Sequence, residues 1–249
     1  MFSKRAVRGY LDSLEIKPLK RFSQNFLIDQ NIVDKIIATA QVKAGEHILE
    51  VGPGCGTMTR CILEKGARVT AIEIDKTLAG ELRKLPIDLI EGDALQVPLP
   101  RCDKVISNLP YHIASPLLAR LLPLYPMCTF MCQEEMARRI TAQPGNKEYG
   151  SFTIFVRFYG TAHYAFKVSK HCFYPAPRID SAVVHFERGP VPDVDSEPFF
   201  LFVQSAFQAR RKKVATTWKK KYNFIVTTDA RPEELRLEDF LGYYRDFIT

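Results

Sequence analysis

The sequence predicts an α/β fold, a mostly parallel sheet covered by helices, with a small helical domain at its C-terminal end. Three observations carry this. Short apolar runs alternate with helix-like runs over the first 188 residues, the pattern of parallel strands joined by crossover helices. A turn containing Gly52, Gly54 and Gly56 follows the first strand-like run and opens a helix. Beyond Arg188 the texture changes to "RGPVPDVDSEP", a linker rich in proline and acid, and then to amphipathic runs.

The elements follow in order. From Asp29 to Ala40, the residues Ile32, Val33, Ile36 and Ile37 recur at helical spacing behind an aspartate placed to cap them. "HILEVG" (His47 to Gly52) is a short apolar run, a buried strand. "TMTRCILEKG" is a helix with Gly66 as its stop. "RVTAIEID" is the second strand, and "KTLAGELRKL" a helix behind Asp75 as cap. "IDLIEGDA" and "DKVISN" are the third and fourth strands. The next helix starts near Ser115, with Pro116 in the tolerant first turn. "CTFMCQ" is a fifth strand and "EEMARRITA" a helix. A helix from about Tyr149 to Tyr159, then "AHYAFKVS" and "SAVVHFER", completes the sheet, and the short spacing allows those last two strands to pair antiparallel. Further on, Phe200, Val203 and Phe207 lie at helical spacing in "FFLFVQSAFQARRKK", and "RPEELRLEDFLGYYRDF" is amphipathic. The expected organisation is a domain over 1–188 with a basic N-terminal arm, a linker over 189–198 and a helical domain over 199–249.

Composition excludes several classes. At 46% hydrophobic and 25% charged, the chain is neither fibrous nor disordered. No apolar run approaches the roughly 18 residues that cross a bilayer. The basic N-terminus lacks an apolar core, and Asp12 and Glu15 weigh against a transit peptide, so a cytoplasmic protein without a membrane partner is expected. Six cysteines contain no C-x-x-C pair, so no metal site is expected, and most read as small buried hydrophobes. The net charge of +7 allows a polyanionic partner. Its cations gather at Lys4, Arg5, Arg8, Lys17, Lys20 and Arg21, then at Arg210, Arg211, Lys212 and Lys213, and at Lys219 to Lys221.

The chemistry concentrates at strand ends. Glycines in "EVGPGCGT" let the backbone turn sharply and a ligand approach closely. Their spacing is neither the dinucleotide pattern nor the phosphate loop, and there is no lysine for a triphosphate. About 20 residues on, Glu73 ends the second strand, where an acid can accept hydrogen bonds from both ribose hydroxyls of a nucleoside. Asp93 ends the third strand, placed to accept from an adenine amino group. Ligands of open α/β sheets bind outside the carboxyl ends of the strands, so these residues converge on one crevice. Asn108 ends the fourth strand beside it, followed by Leu109, Pro110 and Tyr111. An Asn-Leu-Pro-Tyr string there is the target-amine motif of amino-methyltransferases. A tight turn, a strand-end acid and ordinary packing of Tyr111 are the plainer readings of each feature taken singly.

Taken together, the motifs resemble the ribosomal RNA adenine N6-dimethyltransferases that act on small-subunit ribosomal RNA. "FSQNFL" (Phe22 to Leu27), "EVGPGCGTMT", "EID", "GDA", "NLPYHIASP", "FYPAPRIDSAVV" (Phe173 to Val184) and "FQARRKK" (Phe207 to Lys213) come in the family's order over essentially the whole chain. Cys55, Met58 and His112 depart from the family's commoner residues. The resemblance implies a Rossmann-like class I methyltransferase sheet, with S-adenosyl-L-methionine as cofactor. It implies that Asn25 and Leu27 cover that cofactor, that Gly52 and Gly54 shape the loop beside its methionyl part, and that Glu73 and Asp93 hold ribose and adenine.

The target adenine nitrogen is a poor nucleophile because its lone pair is delocalised into the ring. In this reading the Asn108 side-chain oxygen and a main-chain carbonyl of Leu109 or Pro110 accept its hydrogens and free the lone pair. Positioning and electrostatics then carry the reaction without a strong base. Tyr111 stacks on the adenine, Phe173 closes the other face unless it is core, and the base must be unpaired or flipped. His112 reads as an exposed loop residue, and Glu134 and Glu135 as helix-start acids. Arg210, Arg211, Lys212 and Lys213 are expected to bind RNA. The expected partner is ribosomal RNA in a small-subunit assembly intermediate, met by a monomer. A large-subunit methyltransferase conferring macrolide resistance, an N6-adenine DNA methyltransferase and an assembly factor that has lost catalysis are the alternatives.

Overall fold

The computed structural model describes residues 3–14 and 24–249. Lys17, Lys20, Arg21 and Phe22, singled out above, lie outside the described residues. By contact density the chain divides into two compact units, Met1–Ala137 with His163–Arg188, and Arg138–Ala162 with Gly189–Thr249.

The first unit is built on a seven-stranded sheet in the order β4-β3-β2-β5-β6-β9-β7. Its strands are β2 (His47–Val51), β3 (Arg68–Glu73), β4 (Asp88–Glu91), β5 (Lys104–Asn108), β6 (Met127–Gln133), β7 (Gly160–Val168) and β9 (Ser181–Arg188). The pairs β3–β4, β2–β3, β2–β5 and β5–β6 are parallel, and β9 pairs β6 antiparallel. This is the Rossmann-like class I methyltransferase sheet that the sequence predicts. β9 is inserted between β6 and β7 and runs antiparallel to β6, and the short link from β7 to β9 holds no crossover helix. A separate two-stranded ribbon pairs β1 (Phe26–Leu27) with β8 (Phe173–Tyr174).

The central strands are continuous apolar runs because both faces are covered. Helices α2 (Gln30–Thr39) and α3 (Thr57–Glu64) bury Val33, Ile36, Ile37, Met58 and Ile62 against Ile48, Val69, Ala71, Ile106 and Met131. The caps follow the sequence reading. Asp29 accepts from Ile32 N at 3.3 Å, and Asp75 accepts from Thr77 N and Leu78 N at the start of α4 (Lys76–Leu82). The amphipathic α1 (Lys4–Ser13) packs Val7 and Leu11 with Phe26, Cys55 and Leu78. Three cysteines are buried (Cys55, Cys128, Cys132) and three half-buried.

Ile48 pairs Val69 and Lys104, so Glu50, Glu73 and Asn108 fall on one face of the sheet towards the carboxyl ends of three adjacent strands, with Glu73 and Asn108 one side-chain step beyond Glu50. Helix α5 (Ala114–Leu121) follows β5 after a short 3-10 turn, Tyr111–Ile113, and α6 (Glu134–Thr141) follows β6. α6 carries Glu134 and Glu135 in its first turn.

The second unit holds α7 (Ser151–Tyr159), α8 (Ser196–Phe207), α9 (Val214–Tyr222) and α10 (Leu237–Ile248). It includes residues 138–162, which the sequence reading placed with the sheet. Aromatic packing is the reason. Phe158 and Phe155 of α7 meet Phe199 and Phe200 of α8 at 5.3 and 4.9 Å between ring centroids. The buried residues of α8 are Phe199, Phe202, Val203, Ser205 and Ala206; Val203 is buried as the spacing suggested, while Phe200 and Phe207 are only half-buried. Helix α8 also ends at Phe207, so "ARRKK" forms the turn into α9 rather than a helical extension. Trp218 is fully buried, stacked on Phe202 at 4.4 Å, and donates Nε1–H to Ser205 Oγ at 3.2 Å. Trp218→Ala is expected to destabilise this unit by about 3–5 kcal/mol, read by chemical denaturation followed by circular dichroism.

Candidate active site

Outside the carboxyl ends of the strands lies a cavity of about 220 Å³, lined entirely by the first unit. Its walls include Asn25, Leu27, Gly52, Gly54, Glu73, Asp93, Asn108, Leu109, Pro110 and Tyr111, all nominated from sequence. The fold brings them together from five segments far apart in the chain.

The glycine turn leaves β2 with Gly52 and Gly54 at φ +68° and +58°, a region that L side chains avoid. A Cβ on Gly54 would also meet the Phe26 ring at 3.1 Å, so glycine here lets the N-terminal strap lie flat over the turn. Glu73 is 5% exposed. Its Oε2 accepts from Gly54 N at 3.2 Å and its Oε1 from Asp75 N at 2.9 Å, which fixes its carboxylate against the turn. Burial raises its pKa, and those backbone hydrogen bonds pull the other way.

Asp93 sits in a tight turn after β4. Its Oδ1 accepts from Leu95 N at 2.9 Å and its Oδ2 from Gln96 Nε2 at 3.2 Å. Each oxygen keeps a further lone pair for a ligand.

Asn108 is the last residue of β5. Its Nδ2 donates to the Asn25 carbonyl at 3.1 Å, which directs Oδ1 the other way. That Oδ1 is buried and accepts no hydrogen bond from the described residues. Leu109 is buried, and its N–H donates to Met131 O at 3.0 Å. The Pro110 carbonyl accepts from Ile113 N at 3.1 Å, closing the turn that follows. Tyr111 is half-buried and its hydroxyl shares a 2.7 Å hydrogen bond with buried Ser181. Burial raises the Tyr111 pKa. His112 is exposed.

Phe173 stands apart and corrects the sequence reading. It is 2% exposed and packs in the apolar core with Leu27, Val33, Ile36 and Met131, not in the cavity wall. Its place in the β1–β8 ribbon turns the ring into the core, where it supports the strap from below.

Glu50 was missed. It is fully buried and lines the cavity, with Oε2 accepting from Thr59 Oγ1 at 2.6 Å. Its Oε1 has no hydrogen-bond partner among the described residues. Burial pushes its pKa up to about 8, and Glu73 nearby adds to the effect. The signal was present: an acid inside the otherwise apolar "HILEV" is a rarity that demands a partner. A cationic group is the ligand chemistry that its free oxygen fits.

In the second unit, Arg210 donates to Asn146 O at 3.2 Å and lies 3.8 Å from Glu233, and Lys213 pairs with Asp229 at 2.6 Å. Arg211 and Lys212 are exposed, as are Lys219, Lys220 and Lys221. No helix among the described residues is long and apolar enough to cross a membrane.

A glycine turn, two buried acids lining one cavity and a buried amide oxygen without a partner among the described residues define a nucleoside-dependent amino-methyltransferase of the class I fold. The family model for ribosomal RNA adenine dimethylase matches residues 17–240. The "Ribosomal RNA small subunit methyltransferase A" of Protochlamydia amoebophila is 40% identical, covering 100% of this chain and 98% of its own. The protein of the same name from Chlamydia caviae is 43% identical over 94% of both chains. Among solved structures, a dimethyladenosine transferase from Plasmodium falciparum has a TM-score of 0.80 at 25% identity, covering 90% of this chain and 97% of that one. The 23S rRNA methyltransferase ErmE has a TM-score of 0.70 at 25% identity, covering 90% of this chain and all of that one. The chain belongs to the ribosomal RNA adenine dimethylase family, S-adenosylmethionine-dependent enzymes.

The raised Glu50 pKa has a consequence for stability. The folded protein keeps this proton where the unfolded chain has lost it, so stability falls as pH climbs from 4.5 to about 8. Glu50→Gln is expected to flatten that decline in thermal unfolding between about pH 5 and pH 8. Parallel curves for the two proteins would show that Glu50 is ionised throughout.

Proposed function

We propose that the protein dimethylates the N6 amino groups of adjacent adenosines in 16S ribosomal RNA, within a small-subunit assembly intermediate, in the cytoplasm and as a monomer. The observation that carries the reading is Asn108 Oδ1, a buried acceptor on a residue that lines the cavity and whose own amide nitrogen is already committed to Asn25. The small-subunit names of the relatives from Protochlamydia and Chlamydia support the choice of RNA.

S-adenosylmethionine supplies an activated methyl group when bound. Glu73 is placed to accept from ribose hydroxyls, Asp93 from the adenine amino group, and Glu50 faces the remaining, methionyl part of the cavity. Gly52, Gly54, Asn25 and Leu27 shape the turn and the strap that enclose it. Asn108 Oδ1 accepts one hydrogen of the target amino group. The Leu109 carbonyl is the better second acceptor, because the Pro110 carbonyl already closes the following turn. Two acceptors pull the nitrogen towards tetrahedral geometry and aim its lone pair at the methyl. The proton is lost after attack, and the exposed His112 is not needed. Tyr111, its ring edge tied to Ser181, offers a stacking face worth about 1–3 kcal/mol. Monomethylated adenine still presents one N–H to Asn108, which permits a second transfer.

The turn and helix α9 of the second unit supply the RNA contacts in this reading. Arg210 and Lys213 spend charge on Glu233 and Asp229, so Arg211, Lys212 and Lys219 to Lys221 make the stronger phosphate contacts.

The likeness to ErmE favours a second reading, a large-subunit substrate. Labelled S-adenosylmethionine offered with small subunits, large subunits or duplex DNA separates the readings, with mass spectrometry of the labelled adenosine counting methyl groups. Dimethyladenosine in small subunits is expected, label in large subunits or DNA overturns the substrate, and no label anywhere points to an assembly factor without catalysis. Asn108→Ala is expected to lower transfer by at least about 10²-fold while cofactor affinity, read by calorimetry, stays within several-fold. RNA affinity is expected to fall steeply with salt, and Arg211→Gln with Lys212→Gln to flatten the log–log slope by about 2.

A further inference from the structure

We propose that Arg120 is a positioning residue for the adenine side of the cavity, acting through the turn that carries Asp93. Arg120 lies in the last turn of α5 and does not itself line the cavity. Its Nη1 donates to the Ala94 carbonyl and its Nη2 to the Val97 carbonyl at 3.0 Å. Those two carbonyls bracket the turn. Within it, the Asp93 carbonyl accepts from Gln96 N and Val97 N at 2.8 and 2.9 Å, and the Asp93 carboxylate accepts from Leu95 N and Gln96 Nε2. The turn therefore holds Asp93, and Arg120 holds the turn.

The opposite side of the turn has no slack. Gly92 has φ +154°, and a Cβ there would lie 2.6 Å from Val97 Cγ1. Val97 is packed against the strand end on one side and clasped through its carbonyl by Arg120 on the other. A guanidinium suits the task because its donors form a rigid planar fork that spans two acceptors. A lysine offers a point charge on a flexible stem and can satisfy one carbonyl well.

The same helix begins at Ala114, directly after the Tyr111–Ile113 turn that lines the cavity. One eight-residue element thus fixes the target-base turn at its start and the adenine turn at its end. The catalytic atoms of Asn108 and Leu109 sit at the end of β5, ahead of the turn into α5, so loosening the far end of the helix bears on cofactor selection and not on the transfer step.

This inference rests on the reading that Asp93 faces the cofactor adenine, and the test separates the two. Calorimetry compares binding of S-adenosylhomocysteine and S-inosylhomocysteine, in which an amino donor is replaced by an oxo acceptor. The native protein is expected to prefer the adenine compound. Arg120→Met is expected to lose about tenfold in affinity for the adenine compound and little for the hypoxanthine compound, so that the preference collapses. In transfer assays KM for S-adenosylmethionine rises while kcat holds, and Arg120→Lys restores part of the preference. An unchanged preference in both variants overturns the role of Arg120. Absence of preference in the native protein overturns the Asp93 reading, and this inference with it. If Arg120→Met fails to fold, the preference ratio of Arg120→Lys decides the question by the same criterion.

Discussion

The Asn108 amide is held from one side only, and the rest of the site is arranged around that fact. Its nitrogen donates to the Asn25 carbonyl, and its oxygen is left buried in the cavity wall with no partner among the described residues. A buried acceptor without a donor is costly, about 1–3 kcal/mol, and such a cost persists where a ligand relieves it. The bond also joins the two ends of the enclosure. One partner ends β5, and the other belongs to the N-terminal strap that crosses the glycine turn. The strap reaches that position because β1 pairs with β8 over a core containing Phe173.

The second constraint is electrostatic. Glu50 and Glu73 share one face of the sheet, Glu73 two residues beyond Ala71, the partner of Glu50; both are buried, and burial raises the pKa of each. They resolve the problem differently. Glu73 is stabilised by backbone N–H groups of the glycine turn and the following loop, so its carboxylate is pre-oriented towards neutral hydroxyls. Glu50 has one hydroxyl donor and one oxygen without a partner among the described residues, an arrangement that a positive ligand group would relieve. Two acids of one residue type thus acquire different chemistry from their surroundings.

Much of this was legible in the chain. The strand and helix order, the caps Asp29 and Asp75, and the cavity residues Gly52, Gly54, Glu73, Asp93 and Asn108 could be read from period and from strand-end position. Both carry a local signal. The boundary of the second unit was not legible, because the aromatic stripe of α7 could pack on a sheet or on another helix with equal local merit. Nor was the end of α8, where the run from Arg210 to Lys213 forms the turn into α9, with Arg210 and Lys213 tied to Glu233 and Asp229 from distant parts of the chain.

The sequence by itself determined which residues stand at the carboxyl ends of the strands, since alternating elements and turn glycines are properties of neighbouring residues. It determined the family as well, because seven motifs in fixed order are a linear property. Only the tertiary structure decided where each side chain points and what it touches. It turned Phe173 into the core, set Glu50 in the cavity wall, chose which Asn108 atom is free, and put Arg120 on the Asp93 turn. These depend on strand register and on contacts across dozens of residues of sequence, and no local pattern encodes them.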